Sequence, residues 1–340
     1  MQETTTIHAK YAIFLPVRNG ADYVRQAIQS ILGQTQADWA LIVLDNQSTD
    51  GTLAIAQSFA DSRISIVPAD RDLSIWENWS RAHALLSGGR VHAQYITFLG
   101  HDDYLYPHFL DVIESLIQAH PNAGVYQTHF DLVGHDGAHL RACRPIPSIE
   151  SGIDFLLARC WGIRDSFGTG YVFPMACFLD AGGLQNFPRL LCADDFLVLS
   201  ALRAAHKVCD TRPCFAYRRH RASASGAVTP AKVSDQIHAY SAYLKRLQDE
   251  FPHWVGSAYA QWALSFLVCR EVLVFDSIML RWMLSPEDRA ILKSLRKTAQ
   301  DLRDSHVCGG YPGITGMTGR LLFLARRLHY FQLMVRGGAR

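Results

Sequence analysis

The sequence predicts an open α/β fold, a mostly parallel sheet flanked by helices, with a helical region after it. Three observations carry this reading. Strand-like apolar runs alternate with helical patterns through the first third of the chain, the runs end in turn formers or carboxylates, and from about residue 231 the pattern is helical almost to the end. Such alternation joins neighbouring strands by right-handed crossovers. Residues 11–17 form a short apolar run closed by the turn pair Asn19-Gly20. Residues 21–35 place Tyr23, Val24, Ala27, Ile28, Ile31 and Leu32 on one helical face. A second strand, 40–44, runs into the turn formers Asp45 to Gly51, before a helix around 53–59. Residues 64–67 read as a third strand, 76–86 as a third helix and 95–99 as a fourth strand. That strand stops at Asp102 and Asp103, and Pro107 opens a helix carrying Phe109, Val112, Ile113, Leu116 and Ile117. After Gly124 the rhythm changes: residues 125–133 partly alternate and end at His135-Asp136-Gly137, as expected of an antiparallel edge or hairpin. A helix is expected over 151–160, a strand over 170–179 and a helix over 196–206.

At 340 residues the chain accommodates one large domain and a sizeable appendage, and the change of pattern divides it into 1–230, with halves of about 1–120 and 121–230, and 231–340. Hydrophobic residues at 49% and charged residues at 19% exclude a disordered chain. A net charge of +2 supplies no argument for a nucleic-acid partner. The basic residues gather after Arg289, against Asp301 and Asp304 alone, which suggests an anionic surface near that end. The eight cysteines form no CxxC pair or framework spacing, and the first apolar run is too short for a leader or a membrane span. A reduced, cytoplasmic compartment is expected.

Carboxylates beyond the end of a buried strand lie where open α/β sheets bind ligands. Asp102 and Asp103 there can hold a hard divalent cation that in turn holds a diphosphate, or one of them can cap the following helix. Asp45, at the end of the second strand, can accept an imide N–H of uracil or thymine, or form an Asx turn. Asp194 and Asp195 open a helix, where one can serve as an N-cap.

The chain resembles the family 2 glycosyltransferases, inverting enzymes with the Rossmann-like GT-A fold that move a sugar from a nucleotide diphosphate. The resemblance covers about residues 10–225. It is carried by Leu15-Pro16-Val17-Arg18-Asn19-Gly20, Ser30-Ile31-Leu32-Gly33-Gln34-Thr35, the run from Leu41 to Thr52, Glu77-Asn78-Trp79, Asp102-Asp103, Ala181-Gly182-Gly183, Ala193-Asp194-Asp195 and Tyr217-Arg218-Arg219-His220. The resemblance implies that Asp45 reads the base, with Pro16, Arg18 and Asn19 walling its pocket; Arg18 is equally well placed as a solvated charge. Asn78 would touch the diphosphate or donor sugar, and Trp79 belongs to the core. Asp102 corresponds to the second Asp of the family's Asp-x-Asp signature and would meet Mn²⁺ or Mg²⁺, with Asp103 capping the helix or orienting Asp102 on the donor side. Gly100 stands where that signature has its first Asp. His220 would reach the diphosphate or the metal. Asp195, with Asp194 as second choice, would be the general base that deprotonates the acceptor hydroxyl.

The implied activity is transfer from a UDP- or dTDP-sugar to a glycan or lipid-linked acceptor in bacterial surface polysaccharide synthesis. Two alternatives are an inactive scaffold, supported by Gly100 alone, and a sugar nucleotidyltransferase. The latter requires a glycine-rich phosphate loop after the first strand, where residues 15–20 carry a single glycine. In residues 319–340, Leu321, Leu324, Leu328, Phe331 and Val335 form an apolar stripe with Arg326, His329 and Arg336 largely off it. This helix lies on an anionic membrane, making the enzyme peripheral on the inner face of the cytoplasmic membrane, or packs against protein.

Overall fold

The computed structural model describes residues 6–220, 229–272 and 284–304. These form two compact units. One comprises the described residues through Phe155 with Asp165–Asn186 and Ala193–His220, and the other comprises Leu156–Arg164, Phe187–Cys192 and the described residues after 228.

Among the described residues, ten strands make up one sheet in the first unit: β1 (Ile7–Val17), β2 (Trp39–Asp45), β3 (Ile64–Ile66), β4 (Val91–Phe98), β5 (Tyr104–Leu105), β6 (Val125–Val133), β7 (His139–Ala142), β8 (Ile149–Ser151), β9 (Val172–Pro174) and β10 (His206–Arg218). Their order is β3-β2-β1-β4-β9-β6-β10-β5, with β7 paired to β6 and β8 to β10. The pairs among β3, β2, β1 and β4 are all parallel, so these strands end together on one edge. Residues 11–17 of β1 and all of β2 are buried, which is why they read as unbroken apolar runs. The helices of this part are α1 (Val24–Leu32), α2 (Thr52–Gln57), α3 (Ile75–Ser87), α4 (Phe109–Ala119), the start of α5 (Gly152–Cys160, whose residues from Leu156 belong to the second unit), α6 (Met175–Asp180) and α7 (Ala193–Ala201). α1 buries Val24, Ala27, Ile28 and Ile31, the spacing seen in the sequence. α3 starts at Ser74, whose side chain accepts the Glu77 amide while Glu77 accepts the Ser74 amide.

In the second unit, α8 (Pro230–Glu250), α9 (Pro252–Val255), α10 (Ala258–Glu271) and α11 (Pro286–Asp304) pack together, α8 burying Val233, Ile237, Tyr243 and Leu247. Among the described residues no helix is long and apolar enough to cross a membrane. The amphipathic stripe in 319–340 lies outside the described residues.

Three expectations are corrected. The strand expected over 170–179 is the three-residue β9 followed by α6; a short apolar run such as Met175 to Leu179 suits either state, and Phe178 is buried from the helix. The helix expected over 196–206 is α7, which ends at Ala201, and His206 already belongs to β10. β10 itself breaks the strand pattern, because Thr211, Arg212 and Pro213 are exposed at a bulge between Asp210 and Pro213. Residues 125–133 do make a hairpin with β7, but β6 also pairs along its length with β10, in parallel, and is no edge.

Candidate active site

The loops after β1 and β2 are stitched together. Asn19, at φ 51°, donates its amide to Ser48 Oγ at 3.0 Å and accepts the Thr49 amide on Oδ1 at 2.8 Å. The Gly20 amide donates to Thr52 Oγ1 at 2.8 Å, and the Ala21 amide to Asp50 Oδ2 at 3.0 Å. Gly20 has to be glycine, since a Cβ there would overlap the His101 ring. The close approach brings the first loop against the one after β4.

Asp45 is 2% exposed. Its Oδ2 accepts the Ser48 amide at 3.2 Å, the Asx-type turn that holds the loop. Its Oδ1 is buried and accepts no hydrogen bond among the described residues. Asn78 spends its side chain on protein, donating Nδ2 to Leu44 O at 3.0 Å and accepting Arg81 Nη1 at 3.0 Å. Arg81 also donates to the carbonyls of Asp45, Val67 and Pro68, so α3 clamps the end of β2 from behind. Pro16 lies buried in β1 beside Leu44, and Arg18 is exposed in an ion pair with Asp72. Trp79 stacks on Phe98 at 5.2 Å.

After β4 the two adjacent aspartates diverge. Asp102 Oδ2 lies 2.8 Å from His220 Nε2, with both side chains partly exposed at 21% and 12%, so the pair remains reachable from outside. Asp103 is buried, accepting the Arg218 amide on Oδ1 at 2.8 Å and the Thr169 hydroxyl on Oδ2 at 2.6 Å. Burial, then the neighbouring Asp102 carboxylate, pushes the Asp103 carboxyl well above the usual carboxylate range. Neither caps a helix: α4 begins at Phe109 with His108 at its N-cap and no side-chain cap. His101 is held below the ordinary imidazole range by burial.

Gly100 is enclosed. A Cβ there would stand 2.8 Å from Asp103 Oδ2, 2.9 Å from Asp102 Oδ1 and 3.2 Å from Thr169 Oγ1. The side-chain oxygens of its neighbours thus crowd the position, with Thr169 Oγ1 accepting the Gly100 amide at 2.9 Å. Thr169 reaches this position because Gly170, at φ +87°, lets the chain pass the Phe215 ring, where a Cβ would overlap.

Asp195 lies in the first turn of α7 and is 4% exposed; its amide donates to Asp194 Oδ1 at 2.9 Å. Tyr217, braced by Phe167 in a stack with centroids 3.6 Å apart, links this acidic pair to the first. Burial raises its phenol, and Asp103, Asp102 and Asp194 raise it further, so all three carboxylates lie within electrostatic reach of one ring. The sequence reading did not single out Thr169, Arg81 or the inward role of Arg218. Only the paired glycines at 168 and 170 gave a local signal for Thr169.

Asp45 thus closes β2, Asp102 follows β4 with His220 beside it, and Asp194 and Asp195 stand in the first turn of α7. Residues 12–178 match the family described as Glycosyl transferase family 2. The chain belongs to that family and is a glycosyltransferase. Asp194, Asp195 and His220 lie beyond the matched span. The chain is 27% identical over 278 residues to the succinoglycan biosynthesis protein ExoO of Rhizobium meliloti, covering 75% of each. It is 35% identical over 110 residues to an uncharacterized glycosyltransferase of Rickettsia prowazekii, covering 31% of this chain and 32% of that one, so it spans only about a third of the latter's length. The fold matches that of S. aureus TarS 1–349, solved in complex with UDP-GlcNAc, with a TM-score of 0.64 at 13% identity over 95% of this chain and 90% of that one.

Proposed function

We propose that this glycosyltransferase transfers a sugar, with inversion, from a UDP- or dTDP-sugar to a glycan or lipid-linked acceptor in the assembly of a surface polysaccharide. The observation that carries the donor reading is the buried Asp45 Oδ1 at the end of β2, a carboxylate oxygen that lacks a donor among the described residues. An imide N–H of uracil or thymine supplies that donor, whereas adenine presents no such group on a ring nitrogen. The TarS structure holds a uracil nucleotide sugar, and ExoO bears the name of a polysaccharide pathway; both support the reading.

Asp102 and His220 fit a divalent cation. One carboxylate oxygen and one imidazole nitrogen, 2.8 Å apart, form a small mixed donor set. No group of three or more His, Cys, Asp or Glu that could hold a metal occurs among the described residues, so substrate oxygens would complete the coordination. Mn²⁺ accepts imidazole more readily than Mg²⁺, and both suit carboxylate and diphosphate. Such an ion, when bound, offsets the charge of the leaving diphosphate. Asp195 takes the proton from the acceptor hydroxyl as its oxygen attacks the anomeric carbon. Pro16 and Asn19 line the base side, Arg18 stands at its rim, and Asp103 and Asn78 hold the loops around the donor.

The test is base discrimination. Asp45→Ala weakens UDP binding by about 1.5–3 kcal/mol, the worth of a charge-assisted hydrogen bond, or roughly ten- to a hundred-fold in Kd. It leaves the weaker binding of ADP unchanged. Calorimetric titration of both nucleotides measures this, and an equal loss for both would remove Asp45 from base recognition.

A further inference from the structure

We propose that Arg218 is a positioning residue that sets the orientation of Asp102 relative to His220 and thereby governs metal-dependent binding of a nucleoside diphosphate. The inference rests on the metal role given above to that pair.

Arg218 is the last residue of β10 and is 3% exposed. Its Nε donates to the Asp102 carbonyl at 2.8 Å. Nη1 donates to the carbonyls of Gly134 at 3.1 Å and His135 at 3.0 Å, and Nη2 to Gln26 Oε1 at 2.6 Å. The guanidinium also lies 4.7 Å from the Tyr23 ring centroid and 5.5 Å from that of Tyr104. All four side-chain acceptors are neutral oxygens, and they come from three separate segments: α1, the loop after β4 and the turn between β6 and β7. A buried cation is costly unless its hydrogen bonds are met. Here the four neutral acceptors and the aromatic faces meet that need.

The geometry indicates action from behind the site. With its guanidinium turned to protein oxygens and its side chain buried, Arg218 is not an anion contact. It grips Asp102 at the main chain, while its own backbone amide holds Asp103 Oδ1 and its chain continues two residues on to His220. Tyr23 supports both sides of this joint, since its ring also packs 5.1 Å from the His220 ring. The planar guanidinium thus ties the segment carrying the carboxylate to the segment carrying the imidazole. Lysine keeps the charge but cannot serve three directions in one plane.

The test compares Arg218→Lys and Gln26→Ala with Asp102→Ala, each titrated calorimetrically with UDP in the presence and absence of Mn²⁺. Arg218→Lys is expected to weaken Mn²⁺-dependent UDP binding by about 10–100-fold, the usual effect of removing a group that orients a metal ligand. Gln26→Ala is expected to weaken it by roughly two- to ten-fold, the worth of one hydrogen bond. In both, metal-free UDP affinity stays at the wild-type value, which damage to the fold would not allow. Gln26 is exposed, so its variant decides the question if Arg218→Lys does not fold. If Asp102→Ala loses the Mn²⁺ dependence while neither other variant does, the positioning role is wrong and the metal reading stands. If Asp102→Ala retains it, both fall. Equal losses with and without Mn²⁺ in Gln26→Ala also overturn the positioning role.

Discussion

Replacing Asp195 by Asn lowers kcat by roughly 10²–10⁴, the contribution of a positioned general base, and leaves UDP affinity unchanged. The substitution keeps the size of the side chain while removing its charge and its capacity to take a proton. Asp195 is buried in the first turn of α7, where unpaired helix amides favour a carboxylate. Asp194 is the competing candidate, being half-buried and within electrostatic reach of Tyr217. Its Oδ1, however, is engaged by the Asp195 amide, a local bond that stabilises the start of the helix. Asp194→Asn is therefore expected to cost a fraction of that amount in kcat, with part of its effect on thermal stability. Steady-state rates at saturating donor and acceptor decide the matter. A large kcat loss in Asp194→Asn with near-normal turnover in Asp195→Asn would reverse the assignment.

The second large effect is on metal-dependent binding. Asp102→Ala abolishes the gain in UDP affinity produced by Mn²⁺ while the protein remains folded. The carboxylate is partly exposed and its recorded side-chain partner is His220, so its loss opens no cavity in the core. Asp103 behaves oppositely. Both its oxygens are bound to protein and it is buried, so Asp103→Ala strips acceptors from the Thr169 hydroxyl and the Arg218 amide. Unmade buried hydrogen bonds cost about 1–3 kcal/mol each, and that variant is expected to lower the unfolding midpoint. Calorimetric titration with thermal unfolding separates the two. An Asp102→Ala protein with the wild-type response to Mn²⁺ would place the metal elsewhere.

The parts of the fold that the sequence made legible are those where burial is continuous or strictly periodic. β1 and β2 read as strands because both faces are covered, and α1 and α4 as helices because one face is. The strand ends are equally plain in the sequence: Asp45 closes β2, and Asp102 stands just beyond β4. β10 was hidden because its middle carries Asp210, Thr211, Arg212 and Pro213 at a bulge, a composition that reads as a turn. α6 was hidden because Met175 to Leu179 suits strand or helix alike. The site was legible where a residue acts from a strand end and illegible where it acts through distant partners. The Arg218 guanidinium joins Gln26, Asp102, Gly134 and His135, and nothing in residues 217–220 announces those acceptors. Gly100 is a related case. Taken alone it marks an absent carboxylate, and the contacts that a Cβ would meet there, the side-chain oxygens of Asp102, Asp103 and Thr169, come from outside its own segment or from residues after it.

Metal-dependent transfer from a uracil or thymine nucleotide sugar is read from the nucleoside diphosphate it liberates. Release of nucleoside diphosphate from UDP-, dTDP- and ADP-sugars, each with Mn²⁺ and with chelator, tests it most directly. The predicted result is release from a UDP- or dTDP-sugar that needs Mn²⁺ and falls with Asp195→Asn. Release confined to an ADP-sugar, or undiminished by the chelator, would contradict it.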